Sequence, residues 1–276
     1  MREFFRRLFR KKLNIFCFAI FVVLVLMIVF ANFIAPYGPD DQNLSAKNLA
    51  PCAEFIFGTD NLGRDLFSRI LYGGRVSLAI GLFASLVETV IGGIIGCIAG
   101  YFGGKVDNII MRICDVFMAM PPMLMAMAIV AALGQGVTNT LLAVILSGIP
   151  MRVRVARGPV LSLKGQEFIE AATAVNTPTW KIILTHVVPN IMAPVIVSTT
   201  LSISGTITSV AGLSFLGLGI QPPNPEWGAM LSAGRNYLRD YPWQVLAPGF
   251  VMFLVLFSLN VLGDGVRDAL DPKLKD

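Results

Sequence analysis

The chain has 276 residues, of which 55% are hydrophobic and 14% charged, and a mean hydropathy of +0.72. That composition belongs to an integral membrane protein and excludes an ordinary soluble domain, so the net charge of +5 needs no nucleic acid to explain it. Cys17, Cys52, Cys97 and Cys114 are far apart, form no CxxC pair and lie mostly in apolar segments, which argues against a disulfide framework or a zinc site.

The first twelve residues, MREFFRRLFRKK, carry six basic residues and one acid and read as a cytoplasmic anchor. Residues 13–35 are apolar over about the length a bilayer requires. With no A-x-A-like cleavage site they read as a retained first span rather than a signal peptide. Residues 1–35 thus form a tail and a first transmembrane helix. Residues 36–75 are polar and balanced in charge, as suits an extracytoplasmic segment, and within them 65–71 is expected as an amphipathic surface helix with Leu66, Phe67 and Ile70 toward lipid or protein.

Residues 76–276 carry the remaining five spans. The second, over 76–101, contains two overlapping GxxxG patterns, Gly92/Gly96 and Gly96/Gly100, which predict close packing on a neighbouring helix. Glu88 lies near its middle, where an ionised carboxylate is expensive. A buried partner, shielding by helix packing, and a substrate or cation contact in a water-lined path all remain open for it. The third span, 109–133, is interrupted by Pro121-Pro122 and should bend there. Its methionines, Met118, Met120, Met123, Met125 and Met127, suit flexible apolar packing better than a soft-metal path. The fourth span, 139–155, arrives inside at Arg152, Arg154 and Arg157.

Next comes a polar, helix-forming island, KGQEFIEAATAVNTPTWKIILTHVVPN, within a loop spanning 158–190. Residues 167–175 predict a short helix, small at Ala171, Ala172 and Ala174 and acidic at Glu167 and Glu170. Asn176 suits a left-handed position after it, and Thr177-Pro178 reads as an N-cap with proline at the first position of a second helix that stops near Pro189. Two short helices of this kind form a knob shaped to enter another protein's groove. The fifth span, 191–220, places Thr199, Ser202, Thr206 and Ser209 on one face, which fits either a permeation path or a small-residue packing face. Trp227, after Pro222-Pro223 and Pro225, is expected as a membrane-interface anchor, and 243–262 is the sixth span.

The fold class is therefore all-α, with six transmembrane helices and a cytoplasmic coupling loop between spans four and five. Charge supports this topology: sixteen Lys and Arg fall on the side holding both termini and the coupling loop, and six on the other. No G-x-x-x-x-G-K-[ST] occurs, no nucleophile and base pair stands out, and the single histidine, His186, suits a surface or packing role. No catalytic, cofactor-binding or metal residue is expected. A secondary transporter would need an intramembrane relay and usually repeated halves, for which only Glu88 offers support; a membrane scaffold would leave the knob idle.

Glu170-Ala171-Ala172, Asn176 and Pro189 stand at the spacing of the EAA loop, so the island resembles the coupling segment of bacterial ABC-importer permeases. It departs from that pattern with Asn176 for glycine, His186 for isoleucine and Val188 for leucine. Asn tolerates positive φ, so the first change is mild. GTDNLGRDLFSRI, GLSFLGLGIQPPNPEWGAML and GDGVRDALDPKLKD resemble the dipeptide, oligopeptide and nickel permease branch. The resemblance implies a non-catalytic permease subunit in a bacterial inner membrane, with both termini cytoplasmic. It also implies Glu167, Glu170, Ala171, Ala172, Asn176 and Pro189 at the ATPase contact, with ATP bound on partner subunits and none on this chain. The implied partners are a second similar permease, two ABC ATPase subunits and an extracytoplasmic solute-binding protein facing residues 36–75 and 221–241. Di- or oligopeptides are the expected cargo, with nickel or a metal chelate as the alternative.

Overall fold

A backbone that leaves water must satisfy its own hydrogen bonds, so apolar stretches of bilayer length become helices. The computed structural model describes residues 2–270, and among these the only β-type pairing is an isolated antiparallel bridge between Thr59 and Asp65. The last six residues of GDGVRDALDPKLKD lie outside the described range. In order, the helices are α1 (Arg2–Leu8), α2 (Lys12–Val29), α3 (Ala31–Ile34), α4 (Leu66–Phe102), α5 (Gly104–Met118), α6 (Pro122–Leu133) and α7 (Val137–Lys164). They continue as α8 (Glu167–Ala174), α9 (Thr179–Ile182), α10 (Val188–Phe215), α11 (Trp227–Gly234) and α12 (Trp243–Leu270).

Among the described residues five helices are long and apolar enough to cross a membrane, and with the bent pair α5 and α6 taken as one broken span they number six, in agreement with the expected all-helical, six-span class. The bend between α5 and α6 is 82°, a break rather than a kink. Pro121 has an extended backbone, ψ 134°, as a residue preceding proline favours, and Pro122 begins α6, where a missing N–H costs little.

The expected surface helix at 65–71 is not a separate element. These residues begin the 37-residue α4, whose N-cap Asp65 accepts hydrogen bonds from Ser68 N at 2.8 Å and Ser68 Oγ at 2.6 Å. Leu66, Ile70 and Leu71 are buried in the main core with Ile28, Trp227 and Val255. Gly73 and Gly74 lie within the helix where other chain segments press on it: a Cβ on Gly73 would stand 3.3 Å from Glu226 N, and one on Gly74 2.7 Å from Ile28 Cδ1.

Trp227 is likewise not an interface anchor. It is 0% exposed, and its indole Nε1 donates to Ile70 O at 3.0 Å. The reason is that α11 turns back into the bundle, with Gly228 so close to the Ala211 backbone that a side chain there would overlap it. Buried Glu226 caps α11 by accepting from Ala229 N at 2.9 Å, and it accepts from Ser77 Oγ at 3.0 Å. At the same end of the bundle, Gln244 Nε2 donates to Asn48 Oδ1 at 2.7 Å and Trp243 Nε1 to Thr59 O at 3.3 Å. The two long connections therefore pack together as one cap.

The start of α2 and the last turns of α12 meet at the opposite side. Lys11 Nζ pairs with Asp268 Oδ2 at 2.7 Å, and that hydrogen bond raises the lysine pKa above its ordinary value. Asn14, buried near the start of α2, donates to Leu8 O at 2.7 Å.

Candidate functional site

The island between α7 and α10 forms first from local signals. Helix α8 ends at Ala174, and Asn176 takes φ +58°, the left-handed geometry that asparagine tolerates. Backbone N–H groups of Asn176 and Thr177 close the end of the helix on Thr173 O at 2.9 Å and Ala172 O at 3.1 Å. Ile169 and Ile182 point inward and join Val160, Val187 and Ile191 in a small core that seats the knob on the bundle. Outward stand Glu167, Glu170, Ala171, Asn176 and Pro189, with Ala172 half-buried.

Two boundary expectations fail here. Thr177 is not the N-cap of the second helix: Pro178 holds that position, without a side-chain cap. The helix also does not stop near Pro189. It widens through a π-helical turn, Ile183–Val187, and runs on into α10, with Pro189 in that helix's first turn. A π turn shifts the hydrogen-bond register by one residue, which accommodates a proline without its N–H. Thr185 Oγ1 and Asn190 Nδ2 donate to Lys181 O and His186 O, both at 2.6 Å, and occupy carbonyls around the bulge. Residues 179–215 are thus one continuous rod that starts in the knob and ends at the far side of the bundle.

Sequence reasoning missed the knob's exposed apolar residues. Val175 is 76% exposed, Trp180 65% and Leu184 59%, beside the acids of α8. The available signal was a tryptophan within an otherwise polar, helix-forming loop.

The second part of the site lies inside the spans. Gly92, Gly96 and Gly100 face α7 as the GxxxG spacing predicts: a Cβ on Gly92 would overlap Arg152 Cβ, one on Gly96 would stand 2.5 Å from Val153 O, and one on Gly100 2.8 Å from Val160 Cβ. Reciprocally, Gly148 of α7 leaves room for the Glu88 carboxylate, which a side chain there would displace. Glu88 is 2% exposed, and its Oε2 lies 3.6 Å from Arg152 Nε. Arg152 Nη1 donates to Ser198 Oγ of α10 at 2.9 Å. Three spans therefore meet at one buried charged group. Arg152 was legible only as an inner-end charge, because the fourth span was expected to end at 155; α7 continues to Lys164 and carries Arg152 into its middle.

The hydroxyl face of α10 divides. Thr199 Oγ1 lies 3.0 Å from Thr89 Oγ1, and Thr206 Oγ1 accepts from Ser85 Oγ at 2.9 Å, so both pack on α4. Ser209 bonds back to Gly205 O at 3.0 Å. Ser202 lines a cavity of about 750 Å³ between α7, α10 and the end of α12, whose polar wall also includes Arg152, Asn190, Ser198 and Arg267. Farther along α7, Arg157 pairs with Asp107, and Arg154 pairs with Asp115 at 2.7 Å, tying that helix to α5.

Comparison with known proteins agrees with this architecture. The family model described as "Binding-protein-dependent transport system inner membrane component" matches residues 92–276, and "N-terminal TM domain of oligopeptide transport permease C" matches residues 1–51. The chain is 44% identical over 274 residues to the dipeptide transport system permease protein DppC of Alkalihalophilus pseudofirmus, covering 99% of this chain and 90% of that one. It is also 44% identical over 275 residues to the glutathione transport system permease protein GsiD of Escherichia coli, again covering 99% and 90%. Among solved structures, inward-facing conformations of the MetNI methionine ABC transporter match with a TM-score of 0.59 at 14% identity, covering 74% of this chain and 96% of that chain. At that identity the likeness is one of fold.

Proposed function

This chain belongs to the family of binding-protein-dependent transport system inner membrane components and is a permease subunit of an ABC importer, and from that premise we propose that it forms half of a translocation path for di- or oligopeptides. The observation that carries the mechanism is the unbroken rod 179–215, which joins the exposed knob to the cavity wall at Ser198 and Ser202. A partner that grips the knob differently in its two nucleotide states tilts that rod and so changes access to the cavity. Glu167, Glu170 and Ala171, with Val175 and Trp180 beside them, are the contact in this reading.

As a multi-pass inner-membrane protein it works with ATPase and solute-binding partners. In finer detail, the reading has a second permease, two ATPases that bind all the ATP, a solute-binding protein on the cap formed by 36–75 and 221–241, and both termini in the cytoplasm. The chain itself catalyses no reaction in this account. The dipeptide and glutathione transport named for its relatives supports peptide cargo.

Gentle solubilisation and co-purification test the assembly, and the ligand of the recovered binding protein tests the cargo. A Glu170→Arg substitution tests the coupling. Glu170 is exposed, so folding should change by no more than about 0.5 kcal/mol. ATPase association and ATP-driven uptake should fall by about tenfold or more, since reversing a charge at a docking face disfavours the partner. Unchanged uptake would exclude the knob from coupling.

A further inference from the structure

We infer that Arg152 is a specificity-determining residue of the path: in the cavity between α7, α10 and α12 its guanidinium receives the carboxylate of the passing solute. This rests on the peptide reading above, because an unblocked peptide carries a C-terminal carboxylate.

Arg152 is the residue that connects the charged group to the cavity. It lines the cavity wall, and from behind it faces Glu88, which does not line that wall. Its donors are underused. Nη1 serves Ser198, through Oγ at 2.9 Å and O at 3.4 Å, while Nε is buried without a hydrogen-bond partner. The nearest Glu88 oxygen, at 3.6 Å, is too far for a hydrogen bond. Nε faces Glu88 on the buried side, so a solute in the cavity meets the Nη edge of the guanidinium, a planar fork that matches a carboxylate's two oxygens.

The rest of the cavity suits the same ligand. Its charged lining is Arg152 in the interior and Arg267 near the end of α12, and no acidic residue among the described ones lines it. Asn190 and Ser202 offer neutral polar contacts, and about 750 Å³ is the size of a small-ligand site. Glu88 then has a definite part. Held behind Arg152 in the space left by Gly148, its carboxyl competes for the guanidinium from the buried side, so that an arriving anion is held weakly. A transport path needs such a site, favourable enough to enter and weak enough to leave.

The test uses the complete importer in nanodiscs of zwitterionic lipid, without its solute-binding protein, so that binding-protein selectivity does not enter. Binding of dialanine and of dialanine amide is measured by saturation-transfer NMR, and uptake of dialanine and of longer alanine peptides is followed in parallel in proteoliposomes supplied with the binding protein. Wild type should bind the free acid about tenfold more tightly than the amide, as expected for one charge-assisted bidentate contact. Arg152→Gln should bring the two within about twofold, and Arg152→Lys, which keeps charge without the fork, should fall between. Glu88→Gln should tighten the free acid a few-fold by removing the competing anion, a gain that a purely structural role for the pair would not produce.

An unchanged acid-to-amide ratio in Arg152→Gln, with dialanine still imported by wild type, overturns the role of Arg152 alone. Absence of wild-type uptake of dialanine and of longer alanine peptides alike overturns the peptide reading and this inference with it. If Arg152→Gln fails to assemble, the Lys and Glu88→Gln variants decide, and no change in either ratio counts against the inference. Loss of the wild-type ratio on adding anionic lipid would assign the site to headgroups and also overturn it.

Discussion

Trp180 and Trp227 both sit in short helices beside prolines, yet one is 65% exposed on the knob and the other is 0% exposed inside the bundle. Around Trp180 the seating contacts are made by Ile169 and Ile182, which leaves the indole free. Around Trp227, by contrast, the indole itself is the seat: its N–H is bonded to Ile70 O, and Gly74 and Gly228 bring the neighbouring chain close enough to enclose it. An aromatic residue on a membrane protein's connection therefore serves a partner or the fold according to what carries the local burial.

Substitution of the two residues should separate the roles. Trp227→Ala removes a fully buried ring and leaves the Ile70 carbonyl without its donor, and should destabilise the protein by about 3–5 kcal/mol, read by thermal unfolding in detergent. Trp180→Ala should change that stability by about 0.5 kcal/mol or less and instead weaken ATPase association about tenfold, as truncating an exposed interface aromatic does. Equal loss of stability in the two variants would break the comparison.

The glycines of α4 repeat the contrast within a single helix. Gly92 lies against Arg152 and the Val153 backbone, whereas Gly93 has nothing within 4 Å of where its Cβ would stand. Gly92→Val should force α4 and α7 apart and destabilise the protein by about 1–3 kcal/mol. Gly93→Ala should be neutral or stabilising by a few tenths to about 1 kcal/mol, because alanine is the better helix former. If Gly93→Ala proved the more damaging, the face assigned to α7 would be wrong.

What could be read without coordinates follows from how local each signal is. The apolar stretches that become spans, the glycine spacing of Gly92, Gly96 and Gly100, and the left-handed Asn176 each depend on one stretch of chain and appear where expected, whereas the helices of several spans run well past their expected ends. Trp227 and residues 65–71 depended on distant partners, since the return of α11, together with α2 and α12, encloses them in one core. Pro189 misled because proline usually ends a helix, and the π turn that absorbs it carries no obvious residue signature. Glu88 was visible as an expensive charge, but its neighbour Arg152 was not, because their pairing depends on where α7 ends and on the absence of a side chain at Gly148.

The smallest expected effect concerns the turn that shapes the knob. Asn176 stands at φ +58° between α8 and α9, so Asn176→Gly relieves whatever residual backbone cost asparagine bears there, while increasing the freedom of the unfolded chain. These contributions oppose each other, and the net change in stability should stay within about 0.5 kcal/mol, with coupling to the ATPases retained. Asn176→Val adds a β-branched side chain to the same left-handed backbone and should cost about 1–2 kcal/mol, confined to the knob. Hydrogen exchange should therefore quicken at Asn176 and Thr177, whose N–H groups close α8 on Thr173 and Ala172, and remain unchanged at Trp227. Equal quickening at both places would mean that the knob and the bundle unfold together, and the rod 179–215 would then transmit more than the tilt assigned to it.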